Sequence, residues 1–187
     1  MDAIKITTPI DDETTSKLKA GDFVLISGVI YTARDTAHKL IVGALERGEK
    51  PPIPLKGQVI YYAGPSPAKP GKPVGSIGPT TSYRMDPYAP ALMEAGVKGM
   101  IGKGRRDAKV IEAIKRFRCV YFGAVGGAAA YLARCVKSAK VVAYEELGPE
   151  AVRMLYVEDF PAFVINDVEG NDLYLEGRRR YSASYSL

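Results

Sequence analysis

Apolar residues recur along this chain in two alternating rhythms. Phe23 to Ile30 is a β-branched, apolar run of strand length. Ala37, Leu40, Ile41, Ala44 and Leu45 then follow at i, i+3, i+4, i+7 and i+8, the spacing of an amphipathic helix, and Gly48 closes it. Thr32 reads as the N-cap of that helix, with Asp35 three residues on in a capping-box-like pairing. Gly57–Ala63 predicts a second strand centred on Val59-Ile60-Tyr61-Tyr62. Asp86 as N-cap and Pro87 as first helical residue predict a helix over 87–95, carried by Tyr88, Ala91, Leu92 and Ala95 and ended by Gly96. Val97 to Ile101 is a third strand. Asp107 caps a helix whose apolar face is Val110, Ile111, Ile114 and Phe117, and Cys119 to Phe122 is a fourth strand. The glycine run Gly123-Ala124-Val125-Gly126-Gly127 opens a short helix through Ala128 to Cys135, and Lys140 to Tyr144 is a fifth strand.

The ends follow other patterns. Residues 1–22 hold short polar stretches and a turn at Leu18–Asp22. Near the other end, Arg153–Val157 and Phe160–Val168 read as two strands around a turn containing Pro161, and 171–187 reads as a loose tail. Strands alternating with helices across 23–144 predict an α/β fold, a single domain over 1–187 with β-rich terminal additions. Pro51, Pro52 and Pro54 make a rigid connection. The proline- and glycine-dense stretch from Gly64 to Pro73 lies between structured elements, which predicts an ordered, site-shaping loop rather than a linker.

Composition narrows the function. With 187 residues, 47% hydrophobic and 25% charged, the chain can bury one ordinary globular core. Its net charge of +5 is partly local, in Arg178-Arg179-Arg180 and Arg105-Arg106. No basic stripe interleaved with aromatics appears, so nucleic acid is not the expected partner. The two cysteines, Cys119 and Cys135, have no metal-ligand spacing and one histidine beside them in the whole chain. They read as buried thiols in a reducing cytosol, with no metal held by this chain and a cytoplasmic location. No apolar run approaches the ~20 residues of a membrane span, and no signal peptide is expected.

The chemistry concentrates in Gly78-Pro79-Thr80-Thr81-Ser82-Tyr83-Arg84-Met85-Asp86-Pro87-Tyr88. Thr80, Thr81 and Arg84 stand in a loop feeding the positive end of a helix, where hydroxyls, backbone N–H groups and a guanidinium suit a carboxylate or phosphate. Arg34 sits in a helix's first turn, where an acid would be preferred, and so points to an anionic partner. His38 lies one turn later on the same side. Lys103, between two glycines at a strand's end, leaves room for a ligand to approach the backbone, in no Walker pattern. The run 123–127 suits an anion, and close strand–helix packing accounts for it equally. Ligands of open α/β sheets bind outside the carboxyl ends of the strands, and Arg34, Thr80, Thr81, Arg84 and Lys103 all fall in such connections. Their residue types describe a pocket for a small dianion. They name no reaction, and a non-catalytic anion-binding module fits them too.

At these residues the chain resembles the β subunit, equivalently the C-terminal domain, of class I iron–sulfur fumarate hydratases and L-tartrate dehydratases. The matching stretches are Leu18–Asp22, Ile30-Tyr31-Thr32-Ala33-Arg34-Asp35 with Ala37-His38, and Tyr62-Ala63-Gly64-Pro65. Gly78-Pro79-Thr80-Thr81 with Arg84-Met85-Asp86, Gly102-Lys103-Gly104, Gly123–Gly127 and Val157–Val164 continue them in the family's order, over about residues 6–170.

The resemblance implies a swivelling β/β/α domain that closes over an α subunit carrying an oxygen-sensitive 4Fe-4S cluster. One iron is left open to the substrate's hydroxyl and carboxylate, and this chain supplies no cluster ligand. It implies a hydro-lyase of the tricarboxylic acid cycle, fumarate to L-malate, active only as a hetero-oligomer with α. L-tartrate dehydration to oxaloacetate is the alternative. Arg34, Thr81, Arg84 and Lys103 would bind the dicarboxylate, and Thr80 would remove the C3 proton of malate. A threonine base needs neighbouring cations to stabilise its alkoxide, so a positioning Thr80 with a partner-subunit base stays open. Asp35 is expected to orient Arg34 or cap its helix, and His38 to stand behind the substrate ligands.

Overall fold

The computed structural model describes residues 3–182. In chain order the elements are β1 (Ile4–Thr7), α1 (Asp12–Lys17), β2 (Phe23–Thr32), α2 (Asp35–Glu46) and β3 (Val59–Tyr61). A 3-10 turn (Ser82–Met85), α3 (Ala89–Glu94), β4 (Gly99–Gly102), α4 (Ala108–Phe117) and β5 (Val120–Gly123) follow. A second 3-10 turn (Gly126–Ala128) runs into α5 (Ala129–Cys135) and β6 (Val136–Ala143), and a third (Glu145–Glu150) leads to β7 (Val152–Asn166) and α6 (Leu173–Ser182).

The sheet closes on itself. β2, β3, β4 and β5 run parallel, and β7 pairs antiparallel with both β5 and β2, so five strands form a barrel-like ring. β1 extends it beside β2 and β6 beside β7. β3, β4 and β5 bury both faces, which is why they read as near-continuous apolar runs. Val24, Ile26, Ile30, Val59, Tyr61, Ile101, Val120 and Phe122 fill the interior with Leu155, Val157 and Phe160 of β7. The alternate residues Tyr31, Ile60, Tyr62, Met100 and Tyr121 face outward, against Ala37 and Ile41 of α2, Leu92 of α3, and Val110 and Ile114 of α4. The parallel strands therefore deliver four connecting loops to one edge.

Several elements differ from the pattern reading. The polar N-terminal stretch is a strand and a short helix. α1 is held by its cap rather than by an apolar face: Asp11 accepts from Thr14 N–H at 2.8 Å, and Thr15 is its one buried residue. Thr32 is not a cap. It ends β2, buried, with its hydroxyl oxygen accepting from Arg153 N–H of β7. Asp86 does not cap α3 either. That helix starts later, with Pro90 in its first turn, and Asp86 turns to other partners. β6 begins at Val136 rather than Lys140.

The two strands expected around Pro161 are one, β7, because the chain bulges at Asp159 (φ 46°) instead of turning. Pairing with β6 ends at Val157 and pairing with β5 begins at Phe163, so Pro161 occupies a local edge that needs no donor. The expected loose tail is helical over Leu173–Ser182, started by Asp172 Oδ1, which accepts from the N–H groups of Tyr174 and Leu175. α6 has no buried residue and hence no apolar rhythm to detect; residues 183–187 of the expected tail lie outside the described residues.

Candidate active site at the strand ends

β2 runs out into Arg34, which stands at the N-cap of α2 with no side-chain cap bond. β3 runs into Tyr62, whose carbonyl accepts from Thr80 N–H at 2.7 Å. β4 runs into Lys103, which forms a parallel bridge with Thr81, and Lys103 C=O accepts from Ser82 N–H at 2.9 Å. The segment carrying Thr80, Thr81 and Arg84 is thus threaded between the ends of β3 and β4. Gly102 permits this: a Cβ there would lie 2.0 Å from Ser82 Oγ. Tyr121 fastens the same turn from below. Its single hydroxyl proton goes to Gly104 C=O at 2.8 Å, so Ser82 Oγ, also at 2.8 Å, must be the donor to Tyr121.

All five predicted ligands stand on this one edge, and two of the cations carry carboxylates. Arg84 Nε meets Asp35 Oδ1 at 2.8 Å, and Arg34 Nη2 meets Glu150 Oε1 at 3.1 Å. Asp35 therefore orients Arg84, not Arg34 as expected, and it caps no helix. Glu150 was invisible to sequence reasoning because the barrel alone brings the 145–150 turn to Arg34. Gly64 lets that turn close, since a Cβ at Gly64 would lie 2.6 Å from Pro149 C=O. Lys103 has no ion pair among the described residues and lies beside Gly126, where a Cβ would come within 3.4 Å of Lys103 Nζ. Arg34 Nε and Asp35 Oδ2 are buried with no hydrogen-bond partner among the described residues, a donor and an acceptor left over at the same corner. A cavity of about 380 Å³ opens beside Lys103, between Gly126 and Tyr174. The loop from Gly64 folds back through paired Ser66–Ser76 and Gly75–Ser66 backbone bonds, away from a linker's extended form.

His38 is fully buried. Its Nδ1 lies 2.9 Å from Arg34 C=O, which can only accept, so the proton sits on Nδ1 and Nε2 is a bare acceptor. The ring meets Tyr62 edge-on at 5.2 Å. Burial pulls its pKa down from 6.5 to about 4. Between those values the unfolded chain takes up a proton that the native state refuses, so stability falls as pH drops through this window. The loss is about 1.4 kcal/mol per pH unit and about 3 kcal/mol in full. Urea unfolding at pH 7 and pH 4.5 is expected to show this loss, and His38→Gln is expected to flatten it. Equal pH slopes for both proteins would show that His38 is not held neutral.

Among the described residues no group of three or more His, Cys, Asp and Glu side chains converges to hold a metal ion. Cys119 and Cys135 are both buried, and burial pushes the Cys119 thiol up to about 12, far from a ready thiolate ligand. The donors among the described residues do not fit an iron–sulfur cluster. No helix among the described residues is long and apolar enough to cross a membrane.

The class of domain is a closed α/β sheet with hydroxyls and cations gathered at its parallel strand ends. The chain belongs to the Fumarase C-terminus family, whose model matches residues 1–177. It is 39% identical over 175 residues to fumarate hydratase 2 of Leishmania major, covering 91% of this chain and 31% of that protein. It is 42% identical over 151 residues to the aerobic class I fumarate hydratase of Escherichia coli K12, covering 80% of this chain and 28% of that protein. A Methanocaldococcus jannaschii protein provisionally named L(+)-tartrate dehydratase subunit beta is 40% identical over 170 residues, covering 88% and 87% of the two chains. The chain thus spans roughly a third of the fumarate hydratases it matches, and most of the length of the separate subunit.

Proposed function

We propose that this chain is the β half of a cytoplasmic class I hydro-lyase that reversibly hydrates fumarate to L-malate. It works as a swivelling β/β/α domain closing over an α partner. The observation that carries the reading is the meeting of Arg34, Thr80, Thr81, Arg84 and Lys103 at one edge in a member of the Fumarase C-terminus family. Tyr83 and Val125 stand on the same edge, about 60% exposed, which supports a surface that another chain covers. The 4Fe-4S cluster belongs to that partner and, when bound there, supplies a Lewis acid for the substrate's hydroxyl.

This chain's residues then have separable tasks. Asp35 meets Nε of Arg84 at 2.8 Å, and the Nη groups are the fork that would take a bidentate carboxylate. Arg34 Nε is a second unused donor. Lys103, backbone-bridged to Thr81, adds a charge with no ion pair among the described residues. Removal of the C3 proton by Thr80 develops negative charge on the neighbouring carboxylate, and the same cations stabilise it, so they act on the transition state as well as on binding. His38 holds the Arg34 carbonyl from behind.

The separate-subunit relative favours a second substrate, L-tartrate, dehydrated to oxaloacetate on the same clamp. An anaerobic assay decides. The chain is mixed with a cluster-loaded α partner, and fumarate, L-malate and L-tartrate are offered in parallel, each chain alone serving as control. Turnover is expected only in the mixture, with fumarate and malate preferred. Preference for tartrate would select the second substrate, and no complex at all would leave an anion-binding module.

A further inference from the structure

Three residues beyond Lys103, Arg106 lies with its side chain wholly buried beneath the site. Its Nε meets Asp86 Oδ1 at 2.6 Å, and Asp86 Oδ2 accepts from Asp107 N–H at 2.8 Å. The guanidinium carbon sits 5.3 Å from the centroid of the Tyr62 ring and 4.9 Å from that of Tyr121. Nη1 reaches the Tyr62 hydroxyl at 3.4 Å, and Nη2 has no hydrogen-bond partner among the described residues.

A buried ion pair is a poor source of stability, because two apolar residues in its place often do as well. What this pair does have is position. Asp86 terminates the 3-10 turn that carries Arg84, and Arg106 belongs to the loop that carries Lys103. Of the two tyrosines at the guanidinium, Tyr62 holds Thr80 N–H through its carbonyl, and Tyr121 holds Ser82 and Gly104 through its hydroxyl. A planar fork between two rings fixes both loops at once, which a lysine's point charge cannot do.

We propose that Arg106 and Asp86 are positioning residues, a buried ionic pin that locks the Thr80–Arg84 turn against Lys103 without touching substrate. The pin is independent of which dicarboxylate binds, whereas its catalytic consequence rests on the hydro-lyase reading.

The test is the paired variant Asp86→Asn with Arg106→Met, which removes both charges and leaves neither orphaned, beside Arg106→Lys alone. Amide hydrogen exchange is followed at Ser82, whose N–H bonds Lys103, and at Tyr62, whose N–H bonds Ile101 within the barrel. Ser82 is expected to exchange at least ~10-fold faster with Tyr62 unchanged, the scale of one hydrogen bond lost. In the enzyme assembled with its partner, kcat/KM is expected to fall ~10- to 100-fold through both kcat and KM, as for reacting groups misplaced by a fraction of an ångström. Arg106→Lys is expected to fall between the two. Wild-type exchange at Ser82 in either variant, or acceleration of Ser82 and Tyr62 together, would overturn the pin. Selective opening at Ser82 in a protein whose parent turns over no dicarboxylate would leave the pin standing and overturn the hydro-lyase reading.

Discussion

Arg84→Ala is expected to lower turnover of the assembled enzyme at least ~100-fold, the scale of removing one electrostatic stabiliser of a developing charge. The loss has two parts. The guanidinium fork that would take the substrate carboxylate disappears, and Asp35, now without its partner at 2.8 Å, becomes a bare anion facing a dianionic substrate. Both kcat and KM should suffer. Stability should not, because an ion pair with Arg84 42% exposed contributes only about 0–1 kcal/mol. Arg84→Lys keeps charge without the fork, and an intermediate rate is expected from it. Steady-state kinetics under anaerobic conditions, with urea unfolding as control, separate these effects. Unchanged turnover in Arg84→Ala would remove Arg84 from the clamp and leave Arg34 and Lys103 to account for the dicarboxylate.

How far the sequence disclosed this arrangement depends on the range of the interactions. The parallel strands and helices between residues 23 and 135 follow local rhythm, and of the expected caps Asp107 does cap α4, accepting from Val110 N–H at 2.8 Å. The edge carrying Arg34, Thr80, Thr81, Arg84 and Lys103 was legible in part for the same reason: Arg34 and Lys103 lie just past β2 and β4, and the segment with Thr80, Thr81 and Arg84 lies in the connection from β3 to α3. Barrel closure was not. β7 serves β2, β5 and β6 at once through a bulge at Asp159, and no local pattern encodes three partners. Because closure sets distant neighbours, Glu150 beside Arg34 was hidden with it. The role of Arg106 was hidden for a different cause. Next to Arg105 it looks like surface charge, and only the fold shows that one of the two is buried between tyrosines. Asp86 has a good capping sequence and a stronger claim from that buried guanidinium, so the tertiary partner wins over the local one.

Thr80→Val tests the remaining assignment, the base. Valine keeps the β-branched shape, and Thr80 is held by its own N–H on Tyr62 C=O at 2.7 Å, so the backbone should stay in place when the hydroxyl goes. If Thr80 removes the C3 proton, kcat is expected to fall ~10²- to 10⁴-fold with KM nearly unchanged, the range for losing a general base. Exchange of the malate C3 proton with solvent deuterium should fall in parallel. If the hydroxyl only orients substrate, a loss near that of one hydrogen bond is expected, ~10-fold, and C3 exchange should persist because a partner residue moves the proton. Thr80→Ser supports the first case if it restores rate, since it returns the hydroxyl without the methyl. The physical requirement is the same in either case. A hydroxyl is far too weak a base in water, and it becomes one only where cations stabilise its alkoxide. Lys103 is the candidate for that, its backbone bridged to Thr81 and its side chain without an ion pair among the described residues. Lys103→Met should therefore reproduce the Thr80→Val loss in C3 exchange if threonine is the base, and spare that exchange if it is not.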